Sequence, residues 1–454
     1  MNEENINSKK INKYNNLDSL FLWFSSISLI AFFIMAWFPG YLGIPTTEML
    51  SGPVLDGWCA PVSQGVGNHC FGDYYYPLNF INSNAPWEAE NPVTNSAGAL
   101  LILTFYNYLS IFFDNDSLGL KVFLFSSPIF TIALFIKSFR KFRYPKLYVF
   151  LLSSFVLASS PFIIAFDRGN VILLTLPLVI ILLRSYMEKR DLMFLLTLIL
   201  LSFLKPQLLI FVLILLTRKK VIQPLIYLLI SIAANVIPFF FFGGSVINNI
   251  KSYLKVLISF QDYALPGQLV ANISLPNSIA LIERFGFSTP VSEISYIPSF
   301  ISMFGLVFVC IYLWIYGSKF DPMHNFLILT LYIILAPNVS YAYYLILLLA
   351  YLTFAALKYI ENFSNSESNS RELNFLDSIS TRSRILVLLS CILLFVPWAI
   401  PWITLIPHKA VLNSSEFAAS VSRFPGQVIL FILFLSLVLT RDKKFRNASK
   451  MELQ

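Results

Sequence analysis

The strongest constraint on this chain is where its positive charges fall. Between Lys13 and Lys121 there is no Lys or Arg. Beyond that gap the basic residues recur mainly in short clusters at the ends of apolar runs, such as Lys137, Arg140, Lys141 and Arg143, the pair Lys189 and Arg190, and the trio Arg218, Lys219 and Lys220. Of the 454 residues 57% are hydrophobic and only 12% are charged, too few polar side chains to clothe a water-soluble domain of this size. Apolar runs with basic ends describe a polytopic all-α membrane protein, its clusters on the cytoplasmic side. The net charge of +8 is then a matter of orientation in the bilayer, not of nucleic-acid binding.

Following the charges along the chain gives a topology. Lys9, Lys10 and Lys13 precede a first apolar run at 20–38, which puts the N-terminus inside. No small-residue cleavage site follows that run, so it is expected to remain as an uncleaved helix. Residues 39–117 form a large outer loop and juxtamembrane segment containing Glu48, Asp56, Asp73, Glu88 and Glu90. The apolar run 97–113 within it is expected to lie in the interface, because a crossing there would carry the cluster 137–143 to the outer side.

Further spans follow at 118–136, 146–166 and 171–183, with an outer turn of Asp167, Arg168, Gly169 and Asn170 between the last two. Between Arg190 and Arg218 the chain must leave and return to keep both ends inside. Lys205 and Pro206 interrupt this run near its middle, so two short helices are expected with Lys205 at the tip. Spans at 221–242, 300–316, 325–336, 341–357, 385–406 and 428–440 complete about twelve crossings with both termini cytoplasmic. A second outer loop at 243–298 and a flexible, polar cytoplasmic loop at 358–384 separate them. All of this reads as one transmembrane domain, multi-pass in a bacterial inner membrane.

Charged groups at membrane depth are costly and mark function by default. Arg168 and Lys205 are two such groups, both on the outer side with the acidic loop. Two cations facing a carboxylate suit an anionic ligand paired with a neutral hydroxylic one. The cations hold phosphate, Arg as a fork and Lys as a point charge. A carboxylate such as Asp73 can take a proton from an attacking hydroxyl, although an aspartate there can equally be a turn or cap residue. Tyr74, Tyr75, Tyr76, Trp58 and Trp87 offer ring faces for a sugar. Cys59 and Cys70 share the outer loop and can pair in an oxidising compartment, or stay as two thiols. Cys310 and Cys391 lie in apolar runs as packing residues, and His69, His324 and His408 are too scattered for a zinc site.

A set of short motifs runs through this frame: Gly72-Asp73-Tyr74-Tyr75-Tyr76, an apolar run opened by Asn91-Pro92, Asp167-Arg168-Gly169-Asn170-Val171, Leu204-Lys205-Pro206 and Asn272-Ile273-Ser274-Leu275. In this order they resemble the C-type superfamily of integral-membrane glycosyltransferases, and within it the polyprenyl-phosphate-mannose-dependent mannosyltransferases that include the phosphatidylinositol-mannoside enzymes. The resemblance covers residues 20–357. It implies an inverting, metal-independent and cofactor-free transfer of mannose, or another hexose or pentose, from a polyprenyl-phosphate-linked sugar to a lipid or glycan acceptor on the outer face.

Asp73 would be the base in such a reaction, with Asp56 or Glu88 next in line. Arg168 and Lys205 would hold the donor phosphate, and Asn170, Tyr74, Tyr75 and Asn272 would contact substrate. Where the family often carries Ser-Trp followed by His, this chain has Ser340-Tyr341-Ala342-Tyr343-Tyr344, so a histidine contact to the donor phosphate would be missing here or replaced by the hydroxyls of Tyr343 and Tyr344. The competing class is a secondary transporter or lipid-linked glycan flippase. It calls for matching halves with broken helices in corresponding positions, whereas the single large loop here comes early. A polymerase or ligase of lipid-linked glycans would put that loop late, and a receptor would leave Lys205 without a role.

Overall fold

The computed structural model describes residues 71–81, 86–88, 93–115, 117–142, 146–267, 273–276, 297–337, 340, 342–365 and 414–439, with isolated positions at 26–27, 29–30, 386 and 389. The regular structure of these residues is entirely helical. In chain order the α-helices are α1 (Gly72–Ile81), α2 (Ala97–Phe112), α3 (Leu118–Phe142), α4 (Lys146–Leu157), α5 (Ser160–Asp167), α6 (Thr175–Met187) and α7 (Asp191–Leu204). They continue with α8 (Ile222–Val236), α9 (Val246–Gly267), α10 (Ile297–Ile315), α11 (Pro322–Leu335), α12 (Ile346–Asn365) and α13 (Ser414–Leu439). Stretches of 3₁₀ helix occupy Val171–Leu174, Pro206–Arg218, Ile237–Phe241, Gly317–Lys319 and Ala342–Leu345.

Among the described residues, two helical segments are long and apolar enough to cross a membrane, Leu118–Ser138 and Ile222–Phe241. A bent pair, Val149–Leu157 and Ser160–Phe166, meets at 62° and would make a third, broken span. The bend follows from sequence: Ser159 and Pro161 restart the helix, the proline sitting in the first turn where its missing N–H is not needed. The other apolar helices are shorter, so among the described residues two of the expected crossings are single long segments and a third is the bent pair. Most of the first span, residues 268–272 and 277–296 of the second outer loop, and residues 366–385, 387–388 and 390–413 lie outside the described residues.

The core forms around α11, which is buried from Met323 to Leu335. A helix apolar on every side has no solvent face to orient it, so its neighbours must surround it. The 3₁₀ helix Pro206–Arg218, α12 and α13 pack against it. Two polar residues at its start are tied down: the Asn325 side-chain amide donates to the Gly317 carbonyl at 2.7 Å, and His324 Nε2 lies 3.2 Å from the Tyr312 hydroxyl.

The break expected at Lys205–Pro206 falls there. α7 ends at Leu204, Lys205 is extended, and the chain turns back as a 3₁₀ helix packed against α7. Proline at the start of the returning segment removes one helical donor and forbids a continuous α-helix. α2 lies against the tip of this hairpin. The Ser96 hydroxyl, which caps α2, donates to the Phe203 carbonyl at 2.5 Å. A Cβ on Gly98 would come 2.7 Å from Cβ of Phe203, so only glycine permits this approach.

Candidate functional site

The turn after α5 builds one wall. Arg168 caps the helix, Gly169 has φ +63, and the N–H groups of Gly169 and Asn170 donate back to the carbonyls of Phe166 and Ala165, each at 3.0 Å. This six-to-one and five-to-two pair is a Schellman closure, and its left-handed residue is glycine because any side chain there would strain the backbone. Asn170 then opens the next helix, its Oδ1 accepting from the Ile172 N–H at 2.9 Å. Arg168 and Asn170 are thereby fixed side by side at the mouth of the turn.

The first turn of α1 docks onto that wall. The Asp73 N–H donates to the Arg168 carbonyl at 3.0 Å. Its carboxylate accepts from Arg168 Nε at 3.0 Å, from Arg168 Nη2 at 3.1 Å and from the Asn170 side-chain amide at 2.6 Å. The guanidinium forks across both carboxylate oxygens, the strongest geometry available to this pair. The contact joins residues 95 positions apart in the chain. Burial pushes the Asp73 carboxyl up, but the Arg168 charge, the hydrogen bonds from Arg168 and Asn170 and the charge of Lys205 outweigh it and hold it below the usual carboxylate value. Asp73 is therefore an anion at neutral pH, and it is partly open, with 23% of its side chain exposed.

Lys205 brings a second cation to the same carboxylate from the tip of the hairpin. Its ammonium lies 6.0 Å from the centre of the Tyr344 ring. Among the described residues no carboxylate lies within ion-pair distance of it. The Gln207 side-chain amide donates to the Tyr344 hydroxyl at 2.5 Å, tying the hairpin tip to the 3₁₀ turn Ala342–Leu345. That turn packs against α5, and the Ile273 N–H donates to the Ser340 carbonyl at 2.6 Å, so the late motif segments converge on the early ones.

Several expected site residues therefore meet, and others take different work. Arg168 is paired with Asp73 directly, where the sequence suggested a carboxylate and two cations facing one another across a groove. Asn170 is buried, one end of its amide capping a helix and the other holding Asp73, so it positions the carboxylate where a substrate contact was expected. Tyr74 is also a correction: it is 1% exposed and packed against Phe123, so its ring face is not open to a sugar. The helical turn that aims Asp73 outward aims its neighbour inward. Tyr75 and Tyr76 are the exposed rings of the motif. Tyr343 and Tyr344 are buried, Tyr344 with its hydroxyl toward Gln207.

Trp87 is also buried, in a cluster with Phe239, Phe242 and Tyr253, and Glu88 accepts from the Ser252 hydroxyl at 3.0 Å. Cys59, Cys70, Asn272, Asp56 and Trp58 lie outside the described residues. Among the described residues no three His, Cys, Asp or Glu side chains gather as a metal site. The sequence reading does not include Gln207, although an amide two residues after a lysine in an apolar run is a visible signal. No family description, characterised protein or solved structure matches this chain.

Proposed function

We propose that this protein is a membrane glycosyltransferase that uses a polyprenyl-phosphate-linked sugar, mannose or another hexose or pentose, as its donor. The observation that carries the reading is the junction of Asp73, Arg168 and Lys205: one ionised, partly open carboxylate with two cations, one of which has no carboxylate partner among the described residues. The donor phosphate is the counter-ion such a junction lacks. A lipid monophosphate carries little enough charge to be balanced by one guanidinium and one ammonium.

The same geometry constrains the order of events. In the free site both oxygens of Asp73 are taken by Arg168 and Asn170, and a carboxylate so held is a weak base. A phosphate arriving beside Lys205 competes for the guanidinium fork. As Arg168 turns to it, Asp73 keeps the Asn170 hydrogen bond for orientation and regains basicity on its other oxygen. The acceptor hydroxyl then gives its proton to Asp73 as its oxygen attacks the anomeric carbon. The bond to the phosphate oxygen breaks on the opposite face, inverting the configuration, and the lipid phosphate leaves with its electron pair against Arg168 and Lys205.

In this reading about twelve crossings carry the junction on the outer face of a bacterial inner membrane, with both termini cytoplasmic. The lipid donor reaches it from the bilayer, and the acceptor is a lipid or glycan. The test is transfer of radiolabelled sugar from polyprenyl-phosphate-mannose to lipid extract by the purified, reconstituted protein. Asp73→Asn keeps the shape and removes the base. It is expected to lower transfer about 10²–10⁴-fold with the protein still folded and inserted. Wild-type protein that transfers no sugar from any lipid-phosphate donor, or an undiminished Asp73→Asn variant, would end the proposal.

A further inference from the structure

The second outer region, expected to be a loop, contains the 22-residue helix α9. Its inner face is Val246, Ile250, Tyr253, Val256 and Leu257, at the spacing of one helical stripe. That face packs on Trp87, Phe239 and Phe242, and the cluster includes Ala97 and Leu100 of α2. The helix begins right after the candidate span Ile222–Phe241, across a turn where Gly244 has φ +87. Asn249 fixes this start, its buried side-chain amide donating to the Gly243 carbonyl at 3.0 Å. Because α2 touches the hairpin tip through Ser96 and Phe203, α9 lies at the same end of the molecule as Lys205.

The outer face of α9 carries the inference. At about 100° per residue its exposed side chains fall in a definite order around the arc. First come Leu254, Ile247 and Ile258, which are 52%, 63% and 66% exposed. Next come Lys251 and Lys255, then Asn248, Ser259 and Ser252. Apolar, basic and polar bands in sequence match hydrocarbon, headgroup and water in the same sequence. A spanning helix would not carry two lysines on its lipid face, and a water-facing helix would not expose three large aliphatics beside them. Ser252, on the polar edge, is hydrogen-bonded to Glu88 of the acidic loop, which marks the aqueous side.

We infer that α9 lies along the membrane interface and binds anionic phospholipid headgroups through Lys251 and Lys255, with Ile247, Leu254 and Ile258 among the acyl chains. The lysine stems follow the apolar band and their ammonium groups reach the phosphates at its edge. The occupant is lipid because the charge is complementary and because the band continues from a membrane span. This inference rests on the protein being embedded in a bilayer, and is independent of the reaction proposed for Asp73.

The experiment is amide hydrogen exchange on the full-length protein in nanodiscs of phosphatidylcholine alone and of phosphatidylcholine with phosphatidylglycerol. In wild type, residues 246–258 are expected to exchange about tenfold more slowly when phosphatidylglycerol is present, each lysine near an anionic surface accounting for about fivefold at most. K251Q/K255Q is expected to lose this lipid-dependent part and keep the protection due to the inner face. K251R/K255R is expected to retain both. Identical exchange of wild type in the two lipids overturns the inference, and so does a phosphatidylglycerol effect that survives in K251Q/K255Q. Protection that tracks two copies of the chain per disc, whatever the lipid, assigns the face to a second copy and also overturns it.

Discussion

The α7 hairpin has an aspartate–arginine pair near each end, and the two pairs serve different purposes. At the base, Arg218 donates to Asp191 at 2.8 Å and to the Tyr186 carbonyl at 3.1 Å, and its guanidinium lies 4.5 Å from the centre of the Tyr186 ring. Gln223 adds a further hydrogen bond to Asp191. Asp191, Arg218 and the Gln223 amide nitrogen bond one another locally, and the result is a clasp that closes the hairpin. At the tip, the pair Asp73–Arg168 comes from elsewhere in the chain, and Lys205 lies beside it with no carboxylate of its own among the described residues. The two ions are the same. Each carboxylate also feels a further cation, half-buried Lys205 at the tip and exposed Lys220 at the base, and under the proposed function the half-buried one is what suits the tip to a ligand.

The comparison breaks most visibly at Lys205. Lys205→Ala should raise the donor KM about tenfold or more, the cost of losing one charge-assisted contact, while the acceptor KM stays within twofold (about the resolution of such kinetics). Equal loss for both substrates would make Lys205 another clasp. Gly169→Ala comes next. Its left-handed backbone and a Cβ approach of 2.9 Å to Tyr74 should cost about 1–2 kcal/mol, read in a thermal melt of the reconstituted protein. Because that turn positions Arg168, transfer should fall along with stability.

A smaller effect is expected from pH. The folded Asp73 carboxyl is held below its ordinary value, so the stability it contributes is complete above about pH 4 and is lost as pH falls through the lowered folded value. Melting curves between about pH 5 and pH 2 should therefore converge for wild type and Asp73→Asn, the difference being largest at the upper end. Asp191→Asn should do least. Its carboxylate is 45% exposed, which limits the loss to below about 1 kcal/mol, and transfer should be unchanged. A drop in transfer there would show that the base of the hairpin communicates with its tip.

The charges of the site were legible in the sequence because ions are conspicuous in an apolar chain. Asp73, Arg168 and Lys205 could be singled out for that reason, and Lys205–Pro206 marked the break of the hairpin correctly. Side-chain direction was not legible. Tyr74 and Tyr75 are neighbours of the same type, and only the docking of α1 on the turn after α5 decides which ring is buried. The roles of Asn170 depended on a partner nearly a hundred residues away. The helix α9 is legible in the sequence, since Val246, Ile250, Tyr253 and Leu257 keep a helical spacing within the expected second outer loop. Its partners Trp87 and Phe239 lie on other segments, and no local pattern joins them. The long 3₁₀ stretch Pro206–Arg218 could not be foreseen either, because its residues suit an α-helix and runs of this kind are uncommon.

Asp73 meets Arg168 twice, through its main-chain N–H as well as through its carboxylate. The backbone bond specifies where residue 73 is, and the side chain specifies only what charge is there. Cutting the side chain back to alanine would thus leave an unfilled notch of carboxylate size against an undisplaced guanidinium, shaped to admit formate from solution as a detachable substitute for the missing group.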